Sequence, residues 1–213
     1  MESAARAFHF DFNGKTVLDI GSSTGGFTKY ALDHGAKKVI AIEKGTNQML
    51  PAIAHDPRVD LHEKTDIFAS EIGINTFEGN PGTGVRSSLS EGVRLGLAPR
   101  SAPEDKSFGQ DPFPDIILAD VSFVSLRRVL AHARDHLAGK GTEFLVMLKP
   151  QFEAAAKDLH NGIVKNESIR RRIIKDFELW LKQNHFLIIK KHDNELKGAH
   201  GNQERFYYLK LAK

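Results

Sequence analysis

Thr16–Ile20 (TVLDI) is a nearly continuous apolar run that ends at Gly21, and the stretch behind it, SSTGGFTKYALDHGA, carries the marks of a turn followed by a helix. Such a run reads as a parallel strand, because a strand covered on both faces needs apolar residues on both. In the helix that follows, Phe27, Tyr30 and Ala31 share one face, serines and threonines are at hand as N-terminal caps, and Gly35 stands where a left-handed C-terminal residue is wanted. Val39–Ile42 then reads as a second strand, ending at Glu43. Strand, helix and strand at this spacing make a βαβ unit, which directs the chain to a doubly wound α/β fold.

The same pattern continues. A helix is expected over residues 2–9 and another over Asn47–His55, with a third strand at Arg58–His62 before Lys64, Thr65 and Asp66. Asp115–Ala119 (DIILA) predicts a fourth strand, ending at Asp120, and Leu126–Leu137 a helix. Phe144–Leu148 (FLVML) predicts a fifth strand, ending at Lys149-Pro150. Ser168–Asn184 predicts an amphipathic helix carrying Ile169, Ile173, Phe177 and Trp180, with Arg170, Arg171 and Arg172 alongside as a solvated face. Phe186–Lys190 and Phe206–Leu211 predict a closing hairpin across Gly198 and Gly201. The expected architecture is a Rossmann-like, mainly parallel seven-stranded sheet with an antiparallel C-terminal strand.

A length of 213 residues suits one domain spanning 1–213. From about residue 79 to 114 the composition turns to Gly, Pro, Ser and Arg, which bury too little apolar surface to offset ordering entropy, so a disordered insertion is expected at 79–114. With no cysteine, neither a disulfide framework nor a thiolate metal site is available, and a cytoplasmic protein is the expectation. No apolar run reaches the roughly 18 residues of a membrane span, and no basic amphipathic terminus is present, so a membrane-active protein is not expected. His132 and His136 are spaced i, i+4 without a third ligand in view, which predicts an exposed helix face and no metal. The net charge of +3 is a weak pointer to a polyanionic partner.

Ligands of a doubly wound sheet bind beyond the carboxyl ends of its strands, so the segment from Asp19 to Phe27 and Glu43 should face one crevice. Gly21, Gly25 and Gly26 let backbone approach a ligand, Ser22, Ser23 and Thr24 lie between them, and Glu43 can accept from both hydroxyls of a ribose. A dinucleotide loop of the G-x-G-x-x-G type would need glycine where Ser23 stands. That mismatch, with Asp19 beside the loop, suits a cationic sulfonium such as S-adenosyl-L-methionine. On these residues a dinucleotide and a purely structural glycine turn both stay open. Asp66 fits either a hydrogen bond to an adenine amino group or a helix cap. Asp120 and Lys149 end hydrophobic strands on the same edge; they could hold and activate a substrate hydroxyl, or form a buried salt bridge.

The blocks LDIGSSTGGFT, HDPRV, DVSFVSL, LVMLKPQFE, NGIVKNESI and GNQERFYYL together resemble the TlyA, or hemolysin A, branch of the FtsJ-like ribose methyltransferases, over nearly the whole chain outside 79–114. The resemblance implies transfer of a methyl group from S-adenosyl-L-methionine to a ribose 2′-hydroxyl of ribosomal RNA, of the cytidine-2′-O type. A monomer acting on ribosomal RNA or ribosomal subunits is then expected, with Asp120 also touching the cofactor. It implies as well a Lys-Asp-Lys-Glu tetrad, of which Asp120, Lys149 and Glu204 are carried here by position. Lys149 would activate the hydroxyl, with Asp120 and Glu204 orienting the lysines. The first lysine of that pattern, in S-R-G-x-x-K-L, aligns ahead of Met1, as does a small RNA-binding domain; Lys15 would lie at the wrong end of the first strand. The expectation is therefore either a fragment or an incomplete tetrad, the latter allowing a non-catalytic remnant that binds cofactor or RNA.

Overall fold

A computed structural model of the chain describes residues 8–72, 93–95, 113–195 and 201–212. β1 (Thr16–Ile20) leads through α1 (Gly26–Asp33) to β2 (Lys38–Ile42), and one helical turn, α2 (Pro51–Ala54), leads to β3 (Val59–His62). Two short strands follow, β4 (Ser70–Ile72) and β5 (Val93–Leu95), paired parallel with each other apart from the main sheet. The second half runs β6 (Ile116–Ala119), α3 (Leu126–His136), β7 (Glu143–Leu148), α4 (Pro150–Glu153) and the small hairpin β8 (Leu159–His160) and β9 (Ile163–Val164). It closes with α5 (Glu167–Gln183), β10 (Phe186–Asp193) and β11 (Arg205–Leu211).

The main sheet has seven strands in the order β10-β11-β7-β6-β1-β2-β3. β1, β2, β3, β6 and β7 pair in parallel, while β11 runs antiparallel to both its neighbours, β7 and β10. From β1 the chain first winds outward to β2 and β3, then returns to lay β6 on the other side of β1, which puts the reversal of strand order between β1 and β6. Ile20 lies opposite both Ile42 and Ala119 at that point, so the residues after all three strands open onto one crevice.

Both faces of the sheet are covered. Along β1 and β2, Leu18, Ile20, Ile40 and Ile42 point to one side, where α3 and α5 contribute Val129, Leu130, Phe177 and Leu181. The alternate residues Val17, Val39 and Ala41 point to the other, against Ala31, Leu32, Ile53 and the N-terminal Phe8 and Phe12. This alternation explains why the strands are apolar throughout, and removing one such side chain, as in Ile40→Ala, costs roughly 2–5 kcal/mol. Gly35, at φ +90°, ends α1 as expected: its amide reaches the Leu32 carbonyl at 3.2 Å and that of Ala36 reaches Ala31 at 3.0 Å.

Several expectations change. No serine or threonine caps α1; its N-cap is Gly25, left-handed at φ 89°, and the buried Thr28 hydroxyl turns to Asp19 instead. The helix expected over Asn47–His55 shrinks to Pro51–Ala54, because Asn47 is left-handed at φ 52° and Leu50, before a proline, is extended. Arg170 is not on a solvated face: it is 7% exposed, donates to the Gln203 carbonyl and pairs with Glu167 and Asp193, while Arg172 pairs with Asp158. His132 is half-buried, its Nε2 3.0 Å from the Ser70 carbonyl, so it does not share the exposed face expected of both histidines. Within the expected insertion 79–114, residues 93–95 form β5 and residues 113 and 114 are described, the rest lying outside the described residues. The helix expected over 2–9 falls almost wholly outside them, as does Gly198.

Candidate active site

Strand ends bring the site residues together. Asp120 follows β6, Lys149 follows β7, and Glu204 precedes Arg205, which lies opposite Leu148 because β11 is antiparallel. The last strand thus carries its N-terminal residue to the edge where the parallel strands carry their C-terminal ones. Lys15, by contrast, lies at the other end of β1, 3.8 Å from Asp115.

A cleft of about 730 Å³ opens over the switch point, lined by Gly21, Ser23, Glu43, Asp66, Asp120 and Phe123, among others. That volume suits a nucleoside-sized ligand. Gly21 is left-handed at φ +78°, and a Cβ there would meet the Asp120 carbonyl oxygen at 3.1 Å, so another residue here would be strained and would crowd the segment after β6. Glu43 accepts from the Ser23 amide at 2.9 Å and from the Gly45 amide at 2.7 Å. Each carboxylate oxygen keeps a second lone pair, so Glu43 can still receive hydroxyls. The Ser23 amide, bound to Glu43, is not offered to a ligand phosphate.

Beneath the loop Asp19 is fully buried. One of its oxygens accepts from Thr28 Oγ1 at 2.6 Å, and among the described residues the other has no hydrogen-bond partner. Burial, helped by the nearby negative charges of Asp120 and Glu43, raises its pKa to about 7. The buried Ser22 hydroxyl is likewise without a partner among the described residues. Asp66 caps and lines at once: its Oδ1 accepts from the Phe68 amide at 3.1 Å, capping the short 3₁₀ turn Ile67–Ala69, and it borders the cleft with Lys44 at 3.2 Å. That amide, then the Lys44 ammonium, hold its carboxyl below the ordinary range. Thr24 and Gly26 line a separate shallow groove with Lys29 and Tyr30, and the Phe27 ring packs toward Phe206, 6.3 Å away.

Lys149 Nζ stands 2.8 Å from Asp120 Oδ1, a close ion pair off the hydrogen-bond direction, and donates to Ser122 Oγ at 2.9 Å. The Lys149 side chain is 13% exposed, so its charge is directed. Glu204 is 7% exposed; burial raises its pKa, partly offset by the Lys149 charge and by the nearby Gln151 and Asn194 side chains. Lys149 and Glu204 are not among the cleft-lining residues and reach the cleft through Asp120. Beside the triad Phe123 is 93% exposed, at a left-handed φ of 63°, its ring 5.2 Å from that of Phe152. A bulky residue in that conformation is uncommon, and strained positions of this kind cluster at active sites. Sequence reasoning missed Ser122, Phe123, Thr28 and Gln151 as participants; only the DVSF and KPQF blocks hinted at three of them. Among the described residues no cluster of ligands could hold a metal, and no helix is long and apolar enough to cross a membrane.

Three comparisons agree on ancestry. The model of the FtsJ-like methyltransferases matches residues 1–211. "Hemolysin A" of Brachyspira hyodysenteriae is 31% identical over 96% of this chain and 71% of its own length. The "23S rRNA (cytidine-2'-O)-methyltransferase TlyA" of Campylobacter jejuni is 30% identical over 91% of this chain but only 61% of its own. A solved protein provisionally named a hemolysin, from Lactococcus lactis, superposes with a TM-score of 0.75 at 31% identity, covering 98% of this chain and 84% of that one. With its sheet order, its cleft and its sequence in agreement, this chain belongs to the FtsJ-like methyltransferase family.

Proposed function

We propose that the chain is an S-adenosyl-L-methionine-dependent methyltransferase acting on a ribose 2′-hydroxyl of ribosomal RNA, as a cytoplasmic monomer and without a metal. The observation that carries this reading is the Lys149–Asp120 ion pair, 2.8 Å long, at the edge of the cleft. The cofactor fits the residues present: Glu43, at the cleft, has lone pairs for ribose hydroxyls, and Gly21 clears its approach, while Asp19 lies buried beneath the loop rather than in the cleft lining. When bound, the cofactor supplies an electrophilic methyl group on a sulfonium. Asp66, though engaged with Lys44 and the Phe68 amide, lies where an adenine amino group could share it.

Lys149 then acts on the attacking oxygen. Its ammonium, aimed by Asp120 and Ser122, stabilises the negative character that the hydroxyl oxygen gains as it attacks the methyl group and its proton passes to the Asp120 carboxylate or to water. Glu204 shares the lysine's field from the β11 side. The exposed ring of Phe123 is suited to stack on a nucleobase beside the reacting ribose, the usual way in which unpaired RNA is held. Ribosomal RNA rather than another hydroxyl substrate is favoured by the Campylobacter relative's description.

The test is radiolabelled methyl transfer to ribosomal subunits by the wild type and Lys149→Ala. Loss of one preorganised donor should slow transfer about a hundredfold to a thousandfold, with cofactor affinity little changed. Equal rates, or no transfer by the wild type to either subunit, would overturn the reading.

A further inference from the structure

Among the described residues outside the triad, the carboxylate of Glu153 is a further unexpected group. It lies at the end of α4, the single turn that begins immediately after Lys149, and its side chain is only 3% exposed. A buried carboxylate is costly unless its oxygens are satisfied. Here they are satisfied from across the site: Oε2 accepts from the Ser125 hydroxyl at 2.8 Å and Oε1 from the Leu126 amide at 2.6 Å, with the Arg127 guanidinium at 3.3 Å. Ser125 is the N-cap of α3, yet its side chain makes no cap of its own. Serine is among the best residues for that task. The helix start is therefore capped from the Lys149 segment rather than locally.

The two segments meet at three levels. Lys149 pairs with Asp120 at the cleft, the Phe152 ring meets Phe123 at 5.2 Å, and Glu153 grips Ser125 and Leu126. We propose that Glu153 is a positioning residue for methyl transfer, whose carboxylate locks the loop after β6 to the turn after β7 and so sets Lys149 against Asp120. It touches neither substrate nor cofactor. The proposal rests on the methyltransferase reading for its kinetic consequence, and on the geometry alone for its structural one.

Glu153→Ala, Glu153→Asp and Glu153→Gln are compared with the wild type below their unfolding temperatures. In methyl transfer to ribosomal subunits, Ala should lower kcat about tenfold to a hundredfold, the cost of a misplaced reacting group, with KM for the RNA unchanged. Gln, which keeps an acceptor in place, should restore most of it. The second readout needs no activity: competitive acetylation with mass spectrometry should find Lys149 several-fold more reactive in Ala than in the wild type, with Gln near the wild type. If Ala does not fold, Asp, shorter by one methylene, takes its place in both arms. A folded Ala or Asp protein whose Lys149 is acetylated at the wild-type rate overturns the proposal. Absence of methyl transfer by the wild type would count against the function reading, and the acetylation arm would still decide the role of Glu153.

Discussion

Asp19→Asn should change how stability depends on pH, and the size of the change follows from the burial of this one group. Asp19 is fully buried, with its pKa raised from 3.8 to about 7 by desolvation and by the charges of Asp120 and Glu43. A raised pKa means that the folded state holds the proton more tightly than the unfolded one. Its contribution to stability is therefore full below pH 3.8 and is lost as the pH rises through about 7. Between pH 5 and pH 8 the loss amounts to roughly 2–3 kcal/mol, since stability falls by about 1.4 kcal/mol for each pH step over which the unfolded chain has released this proton and the folded one has not. Asparagine cannot titrate, so the variant lacks this loss. Its amide leaves donors where the unpartnered oxygen stood, which costs about 1–3 kcal/mol at every pH. From pH 5 to pH 8 the variant should thus lose less stability than the wild type, by roughly 2–3 kcal/mol. Urea unfolding of both proteins without cofactor at the two pH values measures this, and the raised pKa values of Glu153 and Glu204 cancel in the comparison. Parallel stability curves for the two proteins over that window would refute the reasoning.

Three further outcomes are expected. Glu43→Ala should weaken S-adenosyl-L-methionine binding by about 1–3 kcal/mol, the cost of leaving ribose hydroxyls unpaired, measured by titration calorimetry. Phe123→Ala should weaken RNA binding by about 1–3 kcal/mol in filter-binding assays, as loss of one stacked base does. Because the Phe123 ring is 93% exposed, thermal unfolding of that variant should stay near the wild type. Asn166→Ala should cost about 1 kcal/mol in denaturant unfolding, since Asn166 Oδ1 accepts from the Ile169 amide at 3.0 Å and caps α5, while Asn166→Asp should not.

The strands were legible because a strand buried on both faces leaves an uninterrupted apolar signature, and residues ending such strands share one edge. Asp120, Lys149 and Glu43 were accessible by that rule. Glu204 was not, since it precedes a strand that runs the other way, and only the resemblance of the GNQERFYYL block singled it out. The overlong helix over Asn47–His55 arose because spacing says nothing of the left-handed turn at Asn47. Arg170 was misread for a related reason: its partners Asp193 and Gln203 lie far along the chain, and a local window cannot see them. The same distance hid Ser122 from Lys149 and Ser125 from Glu153.

β11 lies between β7 and β10 and is the bonded neighbour of both. During synthesis β10 emerges earlier, yet it has no place in the sheet until β11 arrives to join it to β7. The consequence is one of timing: β10 must wait, and the strand that admits it also delivers Glu204 to Lys149. A ribosome still holding residues 204–211 therefore carries a nascent chain that has every residue of the cofactor crevice but an unfinished acid–base cluster.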